Sequence, residues 1–223
     1  MIHSMTFDFL HNLAQNNTKK WFDKHRRDYD LAITNLTDMA QALISAYDQK
    51  DSGFAKANPD PRATISRIYR DMRFAKAGAP PFKPDFFLSF STNSNGPAVA
   101  DFYVHVQPGN VYSGGGAYLP TAPELRRIRQ SLAGAYDEWL AVAESPAMKT
   151  MFPEGLTGPV SLKTAPRGFS SDDPAIKYLR MKGYCANRPM TTERAEQPES
   201  TVDVIDTFTT VRPLVDYLNS AAE

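Results

Sequence analysis

Cysteine is almost absent. The 223 residues include one, Cys185, so no internal disulfide and no Cys-based zinc site can form, and a reducing compartment, a bacterial-type cytoplasm, is expected. Net charge is missing as well. Lys and Arg number 25 against 25 Asp and Glu, and a neutral chain lacks the long-range field that drives non-specific binding to nucleic acid or to a membrane surface. No run approaches the ~18 apolar residues that span a bilayer. Met1-Ile2-His3-Ser4 leads straight into amphipathic sequence without a charged segment and an apolar core, so a soluble, unexported chain is expected. Histidine is sparse and scattered (His3, His11, His25, His105), and a metal site built on it would need tertiary convergence. The spaced motifs of P-loop nucleotidases, dinucleotide folds, zincins and serine hydrolases are missing. Neither a metal nor a cofactor is expected.

What is present is an ordinary globular composition, 42% apolar and 22% charged, which excludes disorder, collagen and coiled coil. A chain of this length buries roughly 70% of its unfolded surface, and a single domain over 1–223 is expected. Thr6 reads as the N-cap of a short helix closed by Asn16-Asn17, and Thr18 as the next cap. Phe22, His25, Tyr29, Ile33, Leu36, Ala40, Leu43 and Tyr47 recur at helical spacing, predicting one long amphipathic helix. Its outer face carries Lys19 to Arg27, which reads as a solvated surface. Ile65, Ile68, Tyr69 and Met72 predict a further short helix, and Phe86 to Phe90 a strand.

The clearest β signal runs from Ala98 to Gln107, where apolar and polar residues alternate. Gln107-Pro108-Gly109-Asn110 suits a type II turn, returning the chain over Val111 to Tyr118. Thr121 and Glu124 form a capping box, Val160 to Lys163 a possible-length strand of four, and Tyr184 to Arg188 another strand. Asp173-Pro174 opens a short helix, and a last helix is expected to be kinked or split by Pro213. The fold class is α+β: N-terminal helices, a central antiparallel sheet with a Gly-rich hairpin, and helices packed on the sheet.

Two constellations carry chemistry. On the expected helix, Arg67, Arg70 and Arg73 surround Asp71, a surplus of two positive charges that suits an oxyanion, while an internal ion-pair network is the competing reading. On the returning strand, Gly114, Gly115 and Gly116 face Tyr103 and Asp101, leaving a hollow on the polar face rimmed by Tyr103, His105 and Tyr112. A bulge or a tight chain crossing explains the glycines equally well. His105 and Tyr103 are the candidate catalytic groups, His105 by virtue of an ordinary pKa near ~6.5. Cys185 reads as a small buried hydrophobe.

Asn16-Asn17 with Trp21-Phe22, Ser66-Arg67-Ile68-Tyr69-Arg70-Asp71 with Arg73-Phe74, Gly114 to Tyr118, Arg126 to Arg129, and Pro166-Arg167-Gly168-Phe169 occur in one order along nearly the whole chain. This order resembles the bacterial domain-of-unknown-function family 2461. The resemblance implies a single-domain soluble protein and brings no established activity. After Arg-Phe, family members tend to read Ser-Lys-Asp-Lys-Thr-Pro-Tyr-Lys; Ala75 to Lys83 here loses a lysine, an acid and the tyrosine hydroxyl.

Two functions compete. The first is a pocket for a small phosphate or carboxylate ligand, built by Arg67, Arg70, Arg73, Lys83, Tyr112 and Gly114 to Gly116, with Arg126 or Arg129 as auxiliaries, and extending to an enzyme acting on an anionic metabolite. The second is a non-catalytic interaction module that docks an acidic protein partner. No nucleic acid and no membrane is expected as a partner, and the oligomeric state is open.

Overall fold

The computed structural model describes residues 1–71, 73, 76, 78–93 and 98–223. Its helices are α1 (Ser4–Gln15), α2 (Lys19–Lys24), α3 (Arg26–Asp48), α4 (Phe54–Ala57), α5 (Ala122–Gly134), α6 (Tyr136–Ala143), α7 (Pro146–Met151), α8 (Ile176–Leu179), α9 (Thr192–Ala195) and α10 (Ser200–Ala222). Its strands β1 (Phe86–Phe90), β2 (Asp101–Val106), β3 (Val111–Ala117) and β4 (Tyr184–Met190) form one antiparallel sheet in the order β1-β2-β3-β4. The class is α+β, as expected.

Contacts group into two compact units. The first comprises Met1–Phe90, Tyr103–Ser113 and Pro189–Ile205; the second comprises Ser91–Phe102, Gly114–Arg188 and Asp206–Glu223. In the first, α1 packs along α3, where Tyr29, Leu36, Ala40, Leu43 and Tyr47 of the stripe read from the sequence are buried, joined by Met39, while Ile33 is half-buried. Tyr29 meets Phe86 of β1 with ring centroids 6.3 Å apart. In the second, Phe102 of β2 stacks on Phe208 of α10 at 4.7 Å, so α10 covers the apolar side of the strand.

Several boundaries differ from expectation. Thr6 lies inside α1, because its hydroxyl donates to Asn35 Oδ1 at 2.9 Å, and the helix starts from an extended His3. The long helix is interrupted at His25, whose φ of −108° and ψ of 24° separate α2 from α3. Thr18 does cap α2, accepting from Trp21 N–H at 3.3 Å. Gly109 adopts φ of 74° and Asn110 N–H donates to Gln107 O at 2.9 Å, as a type II turn requires. Ser161 makes only an isolated bridge to Met181, and no strand forms there. Pro213 is exposed and does not split α10.

The main correction concerns residues 65–71, which are extended. Ile65 bridges Leu88 and Tyr69 bridges Phe82, both antiparallel. β-Branched and aromatic residues favour this pleated pairing, although Ile65 and Ile68 fall at helical spacing. Met72, Phe74, Ala75 and Ala77 lie outside the described residues.

Candidate functional site

The extended segment 65–70 and the chain at 81–88 form a ribbon in the first unit. Ser66 pins one end twice, its N–H donating to Phe87 O at 2.8 Å and its Oγ accepting from Phe87 N–H at 3.0 Å. At the other end Lys83 N–H donates to Ile68 O at 2.8 Å and Arg70 N–H to Pro81 O at 2.9 Å. Asn17 then clamps the same strand, donating to Phe82 O at 3.0 Å and accepting from Phe82 N–H at 3.1 Å.

Between these pins the two sides do not match. From Ile65 to Tyr69 is four steps, whereas from Phe82 to Leu88, their bridge partners, is six. Two extra residues therefore bulge out around Pro84-Asp85, where proline has no N–H to give to a ladder. Bulges re-aim side chains, and here the consequence is specific. Asp85 Oδ2 reaches His105 Nε2 on β2 at 3.7 Å. Across the ribbon Ile68 is buried and Arg67 exposed.

His105 is held on its other nitrogen too. Asn110 O lies 2.8 Å from Nδ1, and because a carbonyl only accepts, Nδ1 carries a hydrogen and Nε2 is the nitrogen that faces Asp85. The ring stacks on Tyr112 at 4.7 Å, and Phe87 lies 6.3 Å away. Tyr103 stacks on Phe87 at 5.3 Å and meets Tyr112 edge-on. These aromatic neighbours bury Tyr103 and His105, at 6% and 8% exposure, so this side of β2 is not the open polar face expected from alternation.

The remaining candidates fare differently. Arg67 and Lys83 make no side-chain hydrogen bond or ion pair among the described residues, whereas Arg70 Nε donates to Pro80 O at 3.1 Å. Arg73 grips Asp71 through Nε at 3.0 Å and Nη2 at 2.7 Å, and this hydrogen bonding holds the Asp71 carboxyl below its usual range. An extended backbone does not stack the three guanidiniums as a helix would, so no arginine trio surrounds Asp71. Arg126 and Arg129 belong to the second unit, where Arg129 donates to Met181 O at 3.0 Å.

Gly114, Gly115 and Gly116 are all buried. A Cβ on Gly115 would come within 2.7 Å of Val211 Cγ1 on α10, and one on Gly116, at φ of 136°, within 2.0 Å of Tyr184 O on β4. At these two positions the missing side chains admit a helix and a neighbouring strand, and the hollow expected there is filled by protein. Asp85 is the group that sequence reading missed; Pro84, a donorless residue just ahead of a strand, is the signal that marks the bulge.

Helices packed on a four-stranded antiparallel sheet, whose β2 carries His105 within 3.7 Å of Asp85, make this an α+β protein. Residues 5–217 match the model of the family described as "Conserved hypothetical protein (DUF2461)", and the chain belongs to that family. No curated protein and no solved structure shows a significant match. Among the described residues no helix is long and apolar enough to cross a membrane, and no group of three or more His, Cys, Asp or Glu could hold a metal ion.

Proposed function

We propose that the protein binds a small oxyanion, phosphate or carboxylate, at the Pro84-Asp85 bulge. Arg67 and Lys83 supply the positive charge, and His105, across from Asp85, is the candidate catalytic group. The observation that supports this reading is the bulge, which brings Asp85 to 3.7 Å from His105 on a ribbon that also carries Arg67 and Lys83, neither of which has a side-chain partner among the described residues. Residues 67–85 hold Arg67, Arg70, Arg73, Lys76 and Lys83 against Asp71 and Asp85, a local surplus of three positive charges. Asp71 is taken by Arg73, and Arg67 makes no ion pair among the described residues. A bound oxyanion would accept forked hydrogen bonds from Arg67 and a point-charge contact from Lys83. The buried free Cys185 fits a reducing cytoplasm.

The test is thermal denaturation with inorganic phosphate at constant ionic strength. A ligand that binds the folded state at 100 times its Kd stabilises by about 2.7 kcal/mol. For a chain of this size that is a rise of roughly 5–10 °C. The rise is expected in the wild type and lost in Arg67→Ala/Lys83→Ala, whose exposed or half-exposed side chains leave the fold intact. No rise, or a rise kept by the variant, overturns the reading. Stoichiometric capture of an acidic protein together with no shift by anions would favour the interaction module instead.

A further inference from the structure

The second unit contains a cleft that the bulge site does not use. It lies between the end of α6, α7, the turn after α7, and α8. Its volume is about 210 Å³. One water needs about 10–15 Å³ of such space, so the cleft has room for a small organic molecule. The floor is apolar, formed by Ala143, Met148 and Phe152, all buried, with Leu156 half-buried beside them.

One end is charged. Glu144 accepts a hydrogen bond from Tyr178 Oη at 2.5 Å and ion-pairs with Lys149 at 3.2 Å and Lys177 at 3.6 Å. Two ammonium groups thus converge on one carboxylate at this end, while Glu154 elsewhere on the rim brings the charged residues of the lining to two of each sign. The tyrosine hydrogen bond and the lysines hold Glu144 below the usual carboxylate range, and burial and Glu144 hold the Tyr178 phenol above its own, so both keep one protonation state through neutral pH. The lysine side chains are 64% and 72% exposed. Ion pairs that exposed are weak, and each ammonium has donors left over for a second oxyanion. The exposed Glu154 on the rim disfavours ligands carrying more than one negative charge.

We propose that this cleft binds a small amphipathic monocarboxylate, its head between Lys149 and Lys177 and its apolar body against Met148, Phe152 and Leu156. The apolar floor supplies the larger share of affinity through burial, and the lysines select the charged end.

Titration calorimetry on the full chain tests this with 3-phenylpropionate, its uncharged amide and 3-phenylpropylamine as probes. Saturable one-to-one binding of the carboxylate is expected, at least tenfold tighter than the amide or the amine. Lys149→Met/Lys177→Met should weaken carboxylate binding at least tenfold while keeping the wild-type circular dichroism spectrum. Arg67→Ala/Lys83→Ala should bind 3-phenylpropionate as the wild type does, which separates this cleft from the oxyanion site. Absence of saturable binding, equal affinity for the amide or the amine, or undiminished binding by a folded lysine variant overturns the proposal. The probe comparison uses the wild-type chain and holds even where the double variant fails to fold.

Discussion

Tyr178 and Glu144 share a contact of 2.5 Å, and that contact moves their proton affinities in opposite directions. Glu144, held low, contributes stability that is present above its unfolded value of about 4.3 and is lost as pH falls below it. Tyr178, held high by burial and by the carboxylate, contributes stability that is present below about pH 10 and is lost as pH rises further. Tyr184, pushed up to about 12 by burial, acts in the same alkaline window. Removing the phenol therefore has a pH signature. Tyr178→Phe is expected to cost about 1 kcal/mol at pH 7, the low end for a hydrogen bond to a charged group because Glu144 is partly exposed. The difference from wild type should shrink as pH drops below about 4, where Glu144 takes up its proton. Urea denaturation at pH 7 and pH 3 measures both; a difference independent of pH would show that the lost phenol matters only through packing. His105, by contrast, was recognisable as a polar residue in mid-strand, but its partner Asp85 was not. Pro84 marks where the ladder breaks, but the pairing depends on two extra residues of chain between bridges, a number that the pattern of residue types does not register.

Elements defined by one strong local signal were legible. β1 runs from Phe86 to Phe90, as the continuous apolar run implies, and the turn at Gly109 follows from the one glycine with positive φ that a type II turn needs there. The segment at 65–71 was not legible, because a bulged strand and a helix can place buried residues at the same three-residue spacing. In the structure Ile65 and Ile68 are buried, yet Tyr69, which a helix would have set beside Ile65, is 54% exposed. The glycine triplet was visible, but its purpose was decided by what lies against it. With Tyr184 O where a Cβ would stand, Gly116→Ala combines a rare backbone conformation with a collision against a strand that cannot yield without breaking its ladder. A loss of about 3 kcal/mol or more in chemical denaturation is expected, with the same α+β spectrum if the variant still folds. A loss under about 1 kcal/mol would mean that β4 moves away from β3 at little cost.

At the scale of the molecule, zero net charge conceals an uneven layout. The ribbon at 67–85 is basic, and the chain beyond Thr191 carries seven acidic residues against Arg194 and Arg212. That layout suits a local ligand and gives no field for a polymeric one. The division into two units bears on how the chain melts. β2 passes from the second unit to the first between Phe102 and Tyr103, β3 returns between Ser113 and Gly114, β4 crosses between Arg188 and Pro189, and α10 between Ile205 and Asp206. Each of these elements contributes residues to both units. Unfolding either unit alone would sever three strands and a helix in mid-length, exposing backbone groups that water and no new partner would satisfy. We propose that 1–223 melts as one cooperative domain. Scanning calorimetry should show one transition with equal calorimetric and van't Hoff enthalpies and a heat-capacity increment of about 3 kcal/mol/K. Phosphate should displace that transition as a whole, since the bulge it occupies belongs to the same cooperative structure. Two resolved transitions, with phosphate moving only one of them, would show instead that strands and helix can part at the crossings and that the first unit holds its ligand as an independent body.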